Sequence, residues 1–503
     1  MILFCQIAAD GCGMIYYIRQ VSSLLPIIAT LMVFRCWKLR AAKEMEEITL
    51  QKVNINYLGP VMKLEMNIND FNLLIGEQAT GKSTIAKCVY YFRIIKTTIT
   101  DYLCQLYDTS SYNGSDVSKG FNVVLKRELK SIFISLFGFS WDLDDRLYLK
   151  YECTPEIWID VILNKKNSKK FISVRYSKGL TKAIQQLEKE VLELHSQKSA
   201  ATTSLASASK ERLRNYDNIK QNINIIFNDF KETYYIPAGR SIITLLSNNR
   251  SMIENENLDL ITRQFLQIID SIRVSFSEGI RNVHKRYPDG ERNFDVTQMA
   301  EMLIKDLKGD YQYAPGKEYI IIEDSETQNE KIPINFASSG QQEILWVLNQ
   351  LYILMLKKES AFVIIEEPEA HLYPSLQKEV IDFIAYFVNI CNSSVFITTH
   401  SPYVLTSVNA LYCAGKLILS APNAAKKVYD IIGNKRDINP DSFTAFKINK
   451  DKSIHNLINN ELQELSTEFI DDISDHINNN YVDIFHLHST LLPEKFVEDS
   501  ISE

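Results

Sequence analysis

A glycine loop set between an apolar strand and a helix constrains this chain more than any other feature. Residues 71–84 read Phe-Asn-Leu-Leu-Ile-Gly-Glu-Gln-Ala-Thr-Gly-Lys-Ser-Thr, which places Gly76, Gly81, Lys82 and Ser83 in the pattern G-x-x-x-x-G-K-S. The apolar run Leu73 to Ile75 predicts a buried strand, and Thr84 to Tyr91 predicts a helix. Strand, glycine loop and helix together are the context of the Walker A phosphate-binding loop. The glycines let the backbone curl so that N–H groups meet phosphate oxygens, and the helix N-terminus adds partial positive charge at the same point. Lys82 then reaches the β- and γ-phosphates of a nucleoside triphosphate, and the Ser83 hydroxyl ligates Mg²⁺. The expected nucleotide contacts are Gly76, Glu77, Gln78, Ala79, Thr80, Gly81, Lys82, Ser83 and Thr84.

A second apolar strand, Phe362 to Ile365, ends in Glu366-Glu367-Pro368-Glu369. This is the Walker B pattern, a hydrophobic strand that delivers acids to a bound cation and an attacking water. Glu366 stands where Asp is usual and is the expected Mg²⁺ contact, directly or through water. Glu367 is the expected general base for the water that attacks the γ-phosphate. Upstream, Phe336-Ala337-Ser338-Ser339-Gly340-Gln341-Gln342-Glu343 leads into an apolar helix from Ile344 to Leu356. Ser338, Gly340 and Gln341 at its start form a second anion cap; read alone, Ser338 is also an ordinary helix N-cap. One chain has no use for two caps on one γ-phosphate, whereas two chains arranged head to tail complete each other's sites. Downstream, Val395-Phe-Ile-Thr-Thr-His-Ser401 is a third strand, ending in His400. A histidine there can hydrogen-bond the γ-phosphate and register its loss, which makes it, with Glu367 and Lys82, the expected catalytic group; a packed loop histidine is the plainer account.

In this order the four motifs resemble the ATP-binding-cassette superfamily. The phrase Ile365-Glu-Glu-Pro-Glu-Ala-His-Leu-Tyr-Pro374 is similar to its non-transporter branch, the SMC-like, RecF-like and OLD (overcoming lysogenization defect) ATPases. Ser338-Ser339-Gly340-Gln341 resembles the signature loop, with Ser339 where transporters usually carry Gly, and Ile397-Thr-Thr-His-Ser-Pro402 resembles the switch-histidine segment. The likeness covers roughly residues 45–407, including Tyr234-Tyr-Ile-Pro-Ala-Gly-Arg-Ser241. It implies an α/β P-loop NTPase of the ABC/SMC-like head type, Mg²⁺-dependent ATP hydrolysis, a nucleotide-sandwich homodimer formed on ATP binding, and work on DNA or in anti-phage defence through a separate effector protein. Arg240 in the last segment is open to two readings, an approach to phosphate or the partner subunit, or a structural salt bridge. The OLD nucleases carry a C-terminal Toprim domain, with a Glu at a strand end and a later Asp-x-Asp. Neither follows His400, since Asp471-Asp472 lies in a polar, helical-looking stretch, so nuclease activity is not carried over.

Composition agrees with a cytoplasmic enzyme. A net charge of −7 over 503 residues excludes a generally basic nucleic-acid coat, so any DNA contact needs a local patch. Lys165, Lys166, Lys169, Lys170, Arg175, Lys178 and Lys182 supply one, on a hairpin predicted over Ile157 to Leu163 and Phe171 to Tyr176; a solvated hairpin tip is the plainer account. The eight cysteines form no C-x-x-C pair, which supports neither structural zinc nor a disulfide framework. Residues 1–44 read as an N-terminal extension. Within it, residues 14–34 are largely apolar and precede Arg35, Lys38, Arg40 and Lys43, the pattern of a weak membrane anchor. The other reading is a mis-called start, with Met45-Glu-Glu-Ile-Thr-Leu-Gln opening the first strand. Membrane contact is expected only if the stretch is a true anchor.

Four further regions follow. Residues 45–179 form an ATPase lobe with Walker A, and 180–330 a helical insertion and connecting lobe. Residues 331–430 form an ATPase lobe with the signature, Walker B and His400, and 431–503 a C-terminal helical region. In the insertion, Leu180, Ile184, Leu187, Val191 and Leu194 repeat at alternating spacings of 4 and 3, and Leu213, Tyr216, Lys220, Ile223, Phe227 and Phe230 repeat likewise after a Ser/Ala-rich stretch. This predicts an antiparallel helical hairpin with arms of about 20–25 Å at 1.5 Å per residue, either a lever that reports nucleotide state or a lobe packed on the core. The alternatives to a DNA-linked ATPase are an energising subunit of a membrane transporter and a slow nucleotide-gated scaffold.

Overall fold

β1 (Gln51–Leu58) and β2 (Val61–Ile68) alternate as a half-buried antiparallel pair requires: Val53, Ile55, Leu64 and Met66 are buried, while Lys52, Lys63 and Glu65 face out. The computed structural model describes residues 51–108, 120–138, 144–166, 169–198, 205–248, 258–287, 295–322, 330–459, 464–465, 479–484 and 486. The N-terminal stretch 14–34 lies outside them. β3 (Phe71–Gly76) lacks the alternation, and its five consecutive buried residues mark a strand covered on both faces. α1 (Lys82–Asp108) follows the glycine loop. It runs 27 residues, far beyond Tyr91, because apolar side chains continue almost all round it as far as Tyr107. After α2 (Phe121–Phe137), the strands β4 (Tyr148–Glu152), β5 (Trp158–Lys166) and β6 (Lys169–Tyr176) complete a five-stranded antiparallel sheet in the order β2-β1-β4-β5-β6. The lysine-bearing hairpin is therefore present. Its charge is partly neutralised, since Lys165 and Lys170 both pair with Asp145 and Arg175 pairs with Asp160.

α3 (Lys178–Lys198) and α4 (Leu205–Phe227) are the expected helical pair, but both lie along α1 and are not a free arm. Leu180, Ile184, Leu187 and Val191 are buried, whereas Leu194 is partly exposed. On α4 the seam is Ile219, Ile223 and Phe227, with Leu213 exposed and Lys220 turned out to pair with Glu232, while Phe230 lies exposed beyond the helix end. Hydrogen bonds fasten both helices to α1: Tyr102 Oη donates to Glu188 Oε1 at 2.6 Å, and Asn215 Nδ2 donates to Tyr107 Oη at 2.8 Å. The packed-lobe reading is the one the structure takes.

β7 (Glu232–Ile236), α5 (Arg240–Asn248), α6 (Leu260–Arg273) and α7 (Val296–Leu307) lead to a three-stranded sheet of β8 (Asp310–Ala314), β9 (Lys317–Ile322) and β10 (Glu330–Pro333). Then come α8 (Ser339–Lys357), β11 (Ala361–Glu366), α9 (Pro374–Cys391), β12 (Ser394–Thr399), α10 (Pro402–Ser420), α11 (Ala425–Ile432), β13 (Phe443–Ile448) and β14 (Ile454–Asn456). The central sheet has the order β14-β13-β3-β12-β11-β7, parallel except for β14. Its apolar runs serve two cores by the period of 2. Leu73, Ile75, Val363, Ile365, Val395 and Ile397 pack on the α6–α10 side, and Leu74, Phe362, Ile364 and Phe396 pack against α1.

Two regional expectations change here. Residues 431–503 do not read as purely helical, because Phe-Thr-Ala-Phe-Lys-Ile at 443–448 is a strand paired with β3. Residues 180–330 are not purely helical or inserted either, since β7 joins the central sheet beside β11 and β8 with β9 forms a separate hairpin. Asp471 and Asp472 lie outside the described residues. Among the described residues no helix is long and apolar enough to cross a membrane.

Candidate nucleotide site

The loop after β3 is bent by two residues in the left-handed region, Ala79 at φ +61 and Gly81 at φ +109. Its surroundings explain both glycines. A Cβ on Gly76 would lie 2.5 Å from the Ile448 carbonyl oxygen of β13, and one on Gly81 would lie 3.0 Å from Pro60 and Val61 in the β1–β2 turn. Thr80 Oγ1 donates to Glu77 O at 2.9 Å inside the loop. Lys82 opens α1 and folds back over the loop, where its Nζ donates to Gly76 O at 2.6 Å and Glu77 O at 2.7 Å. The residue is only 6% exposed. Burial pulls its pKa below the ordinary lysine value, against the opposing pull of Glu367, Glu369, Glu366 and Glu77. The ammonium is thus a cation already placed over the loop and faced by four carboxylates.

The neighbouring strands bring the other motifs to the same edge. β12 lies between β3 and β11, with Thr399 opposite Ile75 and Thr398 opposite Glu366. Glu366, His400 and the phosphate loop therefore share the carboxyl end of three adjacent parallel strands, where open α/β sheets bind ligands. Glu366 is buried. Its Oε2 accepts from Ala238 N at 3.3 Å, and the buried Tyr235 hydroxyl interacts with the same carboxylate. Glu367 stands in the left-handed region at φ +45, tied by its N–H to Thr398 O at 2.8 Å. Its Oε1 lies 3.5 Å from His400 Nδ1.

The sequence motif gives Glu369 no role of its own, and the structure makes it part of the site. It is buried, and one oxygen takes Thr399 Oγ1 at 2.5 Å and the His400 backbone N–H at 3.0 Å. Its Oε1 is also 3.7 Å from His400 Nδ1, so it fixes the strand end that presents the histidine. A third acid two residues past the base was the available signal.

Arg240 takes the structural salt bridge and not the phosphate. It is fully buried, with Nε 3.3 Å from Glu343 Oε2. Ser338 is the N-cap of α8 in a complete capping box with Gln341, and Gln341 Nε2 reaches Leu307 O at 2.9 Å. Gly340 allows close packing on the turn after β11, since a Cβ there would lie 3.0 Å from His371 O. The signature segment is thereby seated on the Walker B turn of its own chain, with Ser338 and Ser339 exposed.

The residues fit a divalent cation. Ser83 is exposed at the first turn of α1, and the Glu366 carboxylate stands at the same sheet edge, so the two supply oxygens of the kind a hard divalent cation takes. Among the described residues no group of three or more His, Cys, Asp or Glu side chains could hold a metal alone.

Three solved structures are similar to this chain over much of their length. The SMC head bound to the C-winged helix domain of ScpA is 13% identical, covering 71% of this chain and 91% of that one at TM-score 0.32. The SMC head domain from Thermotoga maritima is 10% identical, with the same coverage and TM-score 0.31. The recombination mediator RecF in its ATPrS-bound structure is 11% identical, covering 81% of this chain and 98% of that one at TM-score 0.29. Among curated proteins none matches. The family model described as AAA ATPase domain matches residues 49–405, a span that contains all four motifs. With the P-loop, the acidic strand end and the histidine meeting at one sheet edge, the chain is an ATPase and belongs to the AAA ATPase domain family.

Proposed function

We propose that the chain hydrolyses ATP at this edge as a homodimer that closes on nucleotide. The observation that carries this reading is the convergence of Lys82, Glu366, Glu367 and His400 on the ends of β3, β11 and β12. Gly76, Glu77, Gln78, Ala79, Thr80, Gly81 and Thr84 cradle the phosphates, and Lys82 exchanges its loop carbonyls for β- and γ-oxygens. Ser83 and Glu366 would hold Mg²⁺, which when bound neutralises charge on the β- and γ-oxygens. Glu367 accepts the proton of a water whose oxygen bonds to the γ-phosphorus. The bond from that phosphorus to the β–γ bridging oxygen breaks, its electron pair leaves with ADP, and inorganic phosphate is released. His400 donates to the γ-phosphate and loses that partner on release.

Ser338, Gly340 and Gln341 cap the γ-phosphate of the second copy. Large exposed aromatics flank these segments, with Phe336 at 81%, Tyr373 at 78% and Tyr403 at 54% exposure, as a surface that becomes covered would require. The head is then built from 45–179 and 331–430, with β7 from the intervening region and β13 from the C-terminal one. We further place the protein in the cytoplasm, where its substrate is, and assign its output to DNA transactions or phage defence of the RecF/OLD-like kind through a separate effector. Light scattering of Glu367→Gln protein tests the closing dimer: its mass should double with ATP and Mg²⁺, and an unchanged mass refutes the closure. Steady-state ATPase with and without DNA tests the output, stimulation being expected.

A further inference from the structure

The geometry points to Arg240 and Glu343 as positioning residues that set the direction of the base, an inference that rests on Glu367 being that base. Arg240 is 0% and Glu343 1% exposed, so neither meets ligand or solvent. The Arg240 guanidinium donates through Nη1 to Glu366 O at 2.6 Å and through Nη2 to Glu367 O at 2.8 Å. These two carbonyls belong to the peptide planes on either side of the Glu367 Cα. A peptide unit is planar, so pinning both planes fixes φ and ψ at Glu367 and hence the line along which its side chain leaves the backbone.

That backbone needs holding. A non-glycine residue at φ +45 is disfavoured, and the following Pro368 restricts Glu367 further. Pro368 has no N–H, so the second plane is held through the Glu367 carbonyl, by Arg240 and by Ala370 N at 3.1 Å.

The clamp has its own anchor. Arg240 Nε donates to Glu343 O at 2.7 Å, and the Glu343 carboxylate receives the backbone N–H groups of Arg240 and Ser241, each at 3.0 Å. Glu343 lies in the first turns of α8, the helix capped by Ser338. The start of α8, the start of α5 and the turn after β11 are thus joined through one buried ion pair. Lysine keeps the charge but presents a single ammonium that cannot grip two carbonyls and Glu343 together.

The test uses the full chain carrying Arg240→Lys or Glu343→Gln, with ATP affinity, kcat and KM measured separately. In Arg240→Lys the turnover should fall about 100-fold, the scale of a displaced catalytic group, while ATP affinity stays near the parent value. In a Glu367→Gln background, single-turnover hydrolysis should show no further loss on adding Arg240→Lys, because the pair acts through that side chain. Parent-like turnover in Arg240→Lys overturns the proposal. So does a loss of ATP affinity parallel to that of turnover, or a full additional loss in the Glu367→Gln background. If Arg240→Lys does not fold, Glu343→Gln, which keeps the shape of the side chain, decides by the same criteria. Parent-like turnover in Glu367→Gln alone refutes the base assignment and not the clamp geometry, so the two failures are distinct.

Discussion

Replacing Lys82 by Ala removes the cation that lies over the phosphate loop, and the structure sets the size of the effect. In the free protein its Nζ already holds Gly76 O and Glu77 O at 2.6 and 2.7 Å, so nucleotide binding exchanges hydrogen bonds and does not create them from nothing. A charge-assisted hydrogen bond contributes about 1.5–3 kcal/mol. With two gained to phosphate and two released from the loop, most of the net gain comes from the charge. That charge also offsets Glu366, Glu367, Glu369 and Glu77, which without it would repel a triphosphate. A loss of about 2–3 kcal/mol follows, or roughly 30- to 150-fold in Kd. Folding should survive, since the carbonyls released at the loop can turn to water. Because burial holds the Lys82 pKa below the ordinary lysine range, affinity of the parent protein should fall as pH rises through that lowered value, earlier than for a free lysine. Equilibrium dialysis against ATP with Mg²⁺, beside a urea melt, measures both quantities. Unchanged affinity in the folded variant would refute the role of Lys82.

Ser338→Arg should block the ATP-dependent dimer in light scattering while leaving ATP bound to the monomer. Mixing it with Lys82→Ala chains should restore ATPase activity from one composite site, and no recovery would argue against complementation between copies. Arg93→Ala breaks a bidentate bond to Asp229 at 2.9 and 3.0 Å and a stack 3.8 Å over Phe362, and should lower unfolding free energy by about 3–5 kcal/mol in urea. Burial pushes the Asp229 pKa up, but Arg93 and Lys96 beside it more than reverse this, so the folded pKa lies below the unfolded one. The resulting stability is present above the unfolded value near ~3.9 and disappears as pH falls through the folded one; Asp229→Asn should flatten that acid limb of the urea midpoint. Purified protein with Mg²⁺ or Mn²⁺ should leave plasmid DNA uncut. Nicking that vanishes in Glu366→Ala would show that the chain is itself a nuclease.

The parts of the site legible in the sequence were those whose chemistry is local. The P-loop is one continuous segment, and each acid or histidine follows its own apolar strand, so motif and strand end could be read together. What was missed depends on contacts between distant segments. Glu369 acquires its role only because Thr399 and His400 arrive beside it from β12. Arg240 could not be settled because its partners, Glu343, Glu366 and Glu367, come from two other elements. β13 was missed because its six residues carry two threonine- and lysine-type interruptions and sit in a polar region, while its burial is conferred by β3. On α4 the seam moved from Lys220 to Ile219, a one-residue shift that a periodicity with one polar member could not decide.

The position of β3 governs when the site comes into being. Both its neighbours, β12 and β13, are made long after it, and Asn69 beside it bonds to Phe443 across a separation of 374 residues. At ~5–20 residues per second the ribosome needs about 20–75 s to cover that distance. For most of this interval, until β12 is made, the nascent P-loop strand has neither flanking strand to pair with, and until β13 follows it has only one, although its motif is fully synthesised. The ATP site is therefore a late product of translation, and the apolar run Leu73 to Ile75 is made long before the strands that flank it.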